Sequence, residues 1–203
     1  MNKMAGLPGG NHFSADLKLL VLAGLFTALT AVGSLIKFPI FHVPVTLQTF
    51  FVLLAGNVLG AYYGSLSQVA YLMLGLAGVP LFAQGGGIGY VLKPTFGYLA
   101  AFPIAAGIVG ILTRRTSREA LVSKSFLEYV RLVSINLAGC CIIFSIGLGY
   151  LYINLNFLGG GGISFSDALI GGALIFLPGD LIKVLMIAIF IKKLPYILLP
   201  NKR

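Results

Sequence analysis

The sequence predicts an all-α integral membrane protein, one domain over 1–203 with six transmembrane helices, both termini cytoplasmic and a ligand cavity toward the outer face. Three observations lead there. The 203 residues are 58% hydrophobic and 9% charged, a composition that suits lipid and not water. The apolar residues fall into six runs, about 19–36, 45–63, 66–82, 96–113, 132–152 and 168–191, each within the roughly 17–25 residues that cross a bilayer. The net charge of +9 is carried by basic residues lying between the runs, where orientation in a membrane accounts for them better than nucleic-acid binding does.

Residues 1–15 are polar and read as a short arm. The first span, 19–36, follows Lys18 and ends at Lys37-Phe38-Pro39. Ala31-Val32-Gly33 resembles a signal-peptide cleavage site, but an apolar run of about eighteen residues is long for a signal core, so a retained helix is expected. Ala23, Thr27 and Ala31, and beside them Gly24 and Ala28, recur at intervals of four. Such small side chains admit either internal packing or the close approach of a partner helix. The second span carries Gly56, Gly60 and Gly64 at the same interval, and a tight turn is expected near Gly64-Ser65 before the third. Gln48 at its start must cap a neighbouring helix end or line a cavity.

Between the third and fourth spans lies VPLFAQGGGIGYVLKPTFGY, 79–98, too rich in glycine and proline to be a spanning helix. At membrane depth, irregular backbone survives only where protein buries it or a water-filled cavity meets it, so this loop is expected to wall a ligand site. Its glycines bring backbone amides close to a small ligand but lack the dinucleotide spacing, since Leu92 stands where a third glycine is needed. Lys93 either snorkels to the surface or points its ammonium at a carboxylate. Residues 114–131 form the densest basic segment, and the glycines 159–162 sit in a stretch without Lys or Arg. With the termini inside, eleven basic residues are cytoplasmic and two, Lys37 and Lys93, lie outside.

In the sixth span Asp180 and Lys183 are three apart and share a helix face. Such a pair is either self-neutralising or a functional site, and Pro178 beside it is expected to kink the helix and free a carbonyl near Leu174. Cys140 and Cys141 are adjacent within an apolar run, which suits neither a disulfide framework nor a metal site. The five acids and two histidines form no hydrolytic motif, so no catalytic residue, metal or cofactor is expected.

Pro44-Val45-Thr46-Leu47-Gln48-Thr49, Gly78-Val79-Pro80-Leu81-Phe82-Ala83, Pro94-Thr95-Phe96-Gly97-Tyr98 and Phe176-Leu177-Pro178-Gly179-Asp180-Leu181-Ile182-Lys183 together carry a resemblance over nearly all of 19–193. The chain resembles the BioY family, the biotin-binding substrate-capture (S) components of energy-coupling factor (ECF) transporters. The resemblance implies biotin bound from the outer side of the cell membrane, and a partnership with a transmembrane coupling subunit and two ATPases. It also implies that Asp180 and Lys183 contact the ligand: the carboxylate can accept from a ureido N–H and the ammonium can donate to the ureido carbonyl. The expected ligand-binding set is Gln48, Gln84, Gly85, Gly86, Gly87, Tyr90, Lys93, Tyr98, Asp180 and Lys183; the expected docking face for the coupling subunit is Ala23, Gly24, Thr27, Ala28 and Ala31. Three positions depart from the family's pattern. Lys93 and Phe96 replace glycines, and Leu99 stands where some members carry an arginine for the ligand's carboxylate, which makes Lys93 the candidate for that contact.

Overall fold

A computed structural model describes residues 10–38, 45–116, 121, 123, 125–158 and 161–194, with side chains from Asp16 onward except those of Phe38 and Val45. The arm before Gly10, the connection 39–44, residues 117–120, 122 and 124 of the basic segment, glycines 159 and 160 and the tail 195–203 lie outside the described residues. Helix α1 runs Gly10–Leu35, nine residues further toward the N-terminus than the apolar run alone implies. A two-residue antiparallel ladder follows, β1 Lys37–Phe38 against β2 Val45–Thr46, with Lys37 opposite Thr46. Then come α2 Gln48–Leu76, a 3-10 turn Ile88–Leu92, α3 Phe96–Arg114 and α4 Phe126–Ile153, which relaxes into a π turn at Asn154–Leu158. Helix α5 Phe165–Gly172, a 3-10 turn Leu174–Phe176 and α6 Leu177–Lys193 complete the chain. Among the described residues five stretches are long and apolar enough to cross a membrane: Asp16–Leu35, Gln48–Leu76, Phe96–Arg114, Phe126–Leu158 and Phe165–Lys193.

The stretch Gln48–Leu76 is not one straight rod. Gly60 sits at φ 76°, ψ −172°, a conformation open essentially to glycine alone, and the chain folds back there. Position 64 comes within 3.1 Å of the Gly56 Cα at the point a Cβ would occupy, and the Gln48 amide reaches Tyr71 across the hairpin. The turn expected at Gly64-Ser65 therefore falls one helical turn earlier. The glycine strip divides its work: Gly60 bends the chain, Gly64 lets the two arms touch, and Gly56 admits α3, whose Ala106 carbonyl lies 2.5 Å from the Cβ position.

The sixth apolar run also breaks, into α5, the 3-10 turn and α6. Pro178 occupies the first turn of α6, where its missing N–H has no partner to lose. The carbonyl of Leu174, expected to be free, accepts from the Leu177 N–H in the 3-10 turn. The break places Asp180 in the first turn of α6, where the helix N-terminus favours a negative charge.

Helices α2 and α3 form the centre; α1 packs on α2, α4 on α3, and α6 touches α2 and α4. Several polar side chains buried in this apolar bundle find partners across it. The Asn57 amide donates to Asn136 Oδ1 at 2.8 Å and accepts from the Thr113 hydroxyl at 3.0 Å, joining α2, α3 and α4. The two ends of the bundle differ. At one lie the Gly60 bend, with Arg114 donating to the Leu59 carbonyl at 3.1 Å, and Lys192, which donates to the Ser123 carbonyl. At the other lie the β1–β2 ladder, the segment 77–95 and the start of α6.

Candidate ligand-binding site

At the ladder end lies a cavity lined by residues of β2, of four helices, of the 3-10 turn before α6 and of the loop. Thr46, Gln48 and Thr49 come from β2 and the start of α2; Thr95, Tyr98, Leu99 and Phe102 come from α3 and the residue before it. Ile143 and Phe144 of α4, Phe176 of the 3-10 turn, and Asp180 and Lys183 of α6 close the other side, with Ala83 and Tyr90 contributed by the loop. The enclosed space is about 60 Å³, against roughly 300–1,000 Å³ for ordinary small-molecule sites. Admitting a ligand of that class therefore requires the lining to move apart.

The charged centre is the Asp180–Lys183 pair, 5% and 9% exposed. The Lys183 ammonium donates to Asp180 Oδ1 at 2.6 Å, to the Thr46 carbonyl at 2.7 Å and to the Thr49 hydroxyl at 2.9 Å. Its three protons are thus used. The Thr49 hydroxyl in turn donates to Asp180 Oδ1 at 3.1 Å. Asp180 Oδ2 has no hydrogen-bond partner among the described residues and keeps some contact with solvent, and Asp180 is a lining residue of the cavity. The pair accordingly presents one open acceptor, together with an ammonium that can donate outward only by exchanging a present partner.

Gln48 is 3% exposed and is already engaged. Its amide donates to the Tyr71 hydroxyl at 2.5 Å, its carbonyl accepts from Thr46 Oγ1 at 2.9 Å, and Tyr71 passes the chain on to the Leu81 carbonyl at 3.0 Å. The amide thus braces the loop as well as facing the cavity. Tyr98 donates to the Gly172 carbonyl at 2.7 Å, with its ring against Gly147, where a Cβ would lie 2.2 Å away. The loop is held by aromatic contacts, Tyr71 on Phe82 and Phe82 on Tyr90 with ring centroids 5.4 and 4.6 Å apart. Gly86 lets it lie flat, since a side chain there would meet the Val79 carbonyl at 2.3 Å. Burial pushes the Tyr90 phenol up, so the hydroxyl stays neutral.

Of the ten candidate ligand residues, the structure brings Gln48, Tyr90, Tyr98, Asp180 and Lys183 to the cavity wall. Gln84, Gly85, Gly86 and Gly87 lie in the loop behind Ala83 and Tyr90. Lys93 is outside them, donating to the Gln84 carbonyl at 2.9 Å with its ammonium 4.7 Å from the Tyr90 ring centre. Sequence reasoning missed Thr46 and Thr49, although both stand in the motif around Gln48, and the apolar wall of Phe102, Ile143, Phe144 and Phe176, which nothing distinguishes from ordinary core. The candidate docking face splits. Ala23 and Thr27 are buried against α2, Thr27 donating to the Ser67 carbonyl at 2.8 Å, Ala31 is half-buried, and Gly24 and Ala28 are exposed. Among the described residues no group of three His, Cys, Asp or Glu could hold a metal ion, and of the cysteines Cys140 is buried and Cys141 exposed.

Comparison with known proteins agrees with this architecture. Residues 4–198 match the BioY family. The chain is 47% identical over 137 residues to a probable biotin transporter BioY of Lysinibacillus sphaericus, covering 68% of this chain and 66% of that one. It is 39% identical to a probable biotin transporter BioY of Pyrococcus horikoshii, covering 87% and 96%. Among solved structures it superposes on the S component for biotin from an ECF-type ABC transporter with TM-score 0.74 and 27% identity, over 89% of this chain and 92% of that one.

Proposed function

The chain belongs to the BioY family, and from that membership and the geometry of its cavity we propose that it captures biotin and carries it across the cell membrane as the substrate-binding subunit of an ECF-type transporter. It performs no chemical step on its ligand. The observation that carries the reading is the buried Asp180–Lys183 pair at the cavity wall. Biotin offers a ureido group with two N–H donors and a carbonyl; Asp180 Oδ2 accepts from an N–H, and Lys183 donates to the carbonyl in exchange for one of its present acceptors. Tyr90, Tyr98, Phe102, Ile143, Phe144 and Phe176 give the apolar ring system its surroundings. Gln48 and the glycine loop Gln84, Gly85, Gly86 and Gly87 complete the site, and Lys93 at its edge meets the carboxylate that Leu99 cannot.

In the membrane the chain makes six passages, because the Gly60 hairpin splits Gln48–Leu76 in two. The first arm, 48–59, is only about 18 Å long as helix, and the extended residues 45–47 add about 10 Å, so together they approach the roughly 30 Å hydrocarbon core. The basic residues at the Gly60 end set that end and both termini in the cytoplasm, and the cavity outside. A coupling subunit and two ATPases supply the energy, the first docking on α1.

Labelled biotin added to the purified protein tests the reading. One equivalent should bind and be recovered unchanged. Binding of a different small vitamin in its place would make this an S component of other specificity, and release of an altered product would make it an enzyme.

A further inference from the structure

The cavity has two charged side chains in its wall, and they neutralise each other; a ligand that carries a carboxylate must find its counter-charge elsewhere. Among the described residues, three lysines lie at this end of the bundle. Lys183 has spent its protons on Asp180, Thr46 and Thr49. Lys37 and Lys93 have not. Each makes one hydrogen bond, Lys37 to the carbonyl of Ala83 and Lys93 to the carbonyl of Gln84, and among the described residues neither is paired with an acid.

Lys37 is tied to the cavity twice over. It stands directly opposite Thr46 in the β1–β2 ladder, and cross-strand partners share a face. Its ammonium also bonds Ala83, and both Thr46 and Ala83 line the cavity. Lys93 approaches from the other side, beyond the ring of Tyr90, itself a lining residue. The two ammoniums therefore grip consecutive carbonyls, Ala83 and Gln84, on the loop that covers the site.

We infer that Lys37 and Lys93 together form an anion subsite at the cavity mouth, which receives the carboxylate at the end of the ligand's tail. The inference rests on the reading of the chain as a biotin-capture protein and adds Lys37 to it. Each ammonium has protons left for a carboxylate oxygen while keeping its loop carbonyl, so the anion closes a bridge between β1 and the segment after Tyr90. Lys37 is solvent-exposed and Lys93 half-buried, so screening by water limits each contribution to about fivefold in affinity.

The test compares biotin with biotin amide, which keeps the ureido ring and loses the charge, in the full-length protein and in Lys37→Met, Lys93→Met, Lys37→Arg and the double Met variant. The readout is the ratio of the two affinities within each protein, so any loss of folded material divides out. Wild type should favour the acid by about twentyfold at low salt, less as salt rises. Each Met variant should surrender about fivefold of that ratio, the double variant nearly all, and Lys37→Arg should retain it. A wild-type ratio near one, or a Lys37→Met ratio equal to wild type, overturns the two-lysine subsite while leaving biotin capture standing. Failure of wild type to bind either compound overturns biotin capture, and the subsite with it.

Discussion

At the scale of single residues, the Asp180–Lys183 pair raises the question of whether two buried charges serve each other or a ligand. Asp180→Asn and Lys183→Met should each weaken biotin binding by about 2–5 kcal/mol, because each leaves a buried partner unmatched and removes a ligand contact. A double replacement by apolar residues separates the two accounts. Removing a whole buried pair is often tolerated by the fold, so the double variant should be stable but unable to bind, and affinity regained in it would show the pair to be purely structural. Equilibrium binding with a thermal-unfolding control measures both. The pair was legible in the sequence because ionisable residues in an apolar run declare themselves by their cost. Thr49 was not: its hydroxyl accepts from Lys183 and donates to Asp180, but one threonine at a helix start looks like any other until the fold brings residue 183 to it. Lys37 escaped for a related reason, since only the strand register sets it beside Thr46.

At the scale of elements, the existence of the helices was readable and the position of their breaks was not. Hydropathy averages over a window, and a bend that costs one residue hardly changes the average. Three glycines spaced by four look alike in sequence; only Gly60 has positive φ, and the contacts of its neighbours decide which one bends. Gly60→Ala should lower stability by about 1–3 kcal/mol for the backbone conformation alone. The new Cβ would also fall 2.1 Å from Arg114 Nε, pushing aside the guanidinium that satisfies the Leu59 carbonyl. Gly149→Ala is the contrast. It is exposed on α4 with nothing within 4 Å of the Cβ position, so it should be neutral or stabilising by up to about 1 kcal/mol. Thermal unfolding in detergent distinguishes them, and similar midpoints for the two variants would mean that the bend is not fixed at Gly60.

At the scale of the whole molecule, the bundle has spent its internal small residues and left others facing outward. Ala23 and Thr27 are committed to α2, the latter by its bond to Ser67, and they have no role in reaching another subunit while the bundle stays intact. Gly24 and Ala28 are exposed, four residues apart on the adjoining face, with open space at Gly24. Around them Leu20, Val21, Leu25 and Val32 are exposed as well, so lipid or another apolar helix must cover this face. Lipid supplies no hydrophobic drive toward a partner helix, and close approach then depends on small side chains that let backbones meet. Periodicity in the sequence showed both faces of α1 but could not say which was inward, because small residues recur on each. The geometry separates them and narrows the expected docking face to Gly24 and Ala28, with half-buried Ala31 at its margin. Ala28→Trp should therefore abolish co-purification with the coupling subunit and biotin uptake in cells, while the isolated protein binds biotin with wild-type affinity, since position 28 lines no part of the cavity. Ala23→Trp should instead damage the fold, with loss of binding and a lowered unfolding midpoint, because its side chain must enter the α1–α2 interface. If Ala28→Trp lost biotin affinity in parallel with uptake, α1 would be acting through internal packing, and the coupling subunit would have to dock on another face.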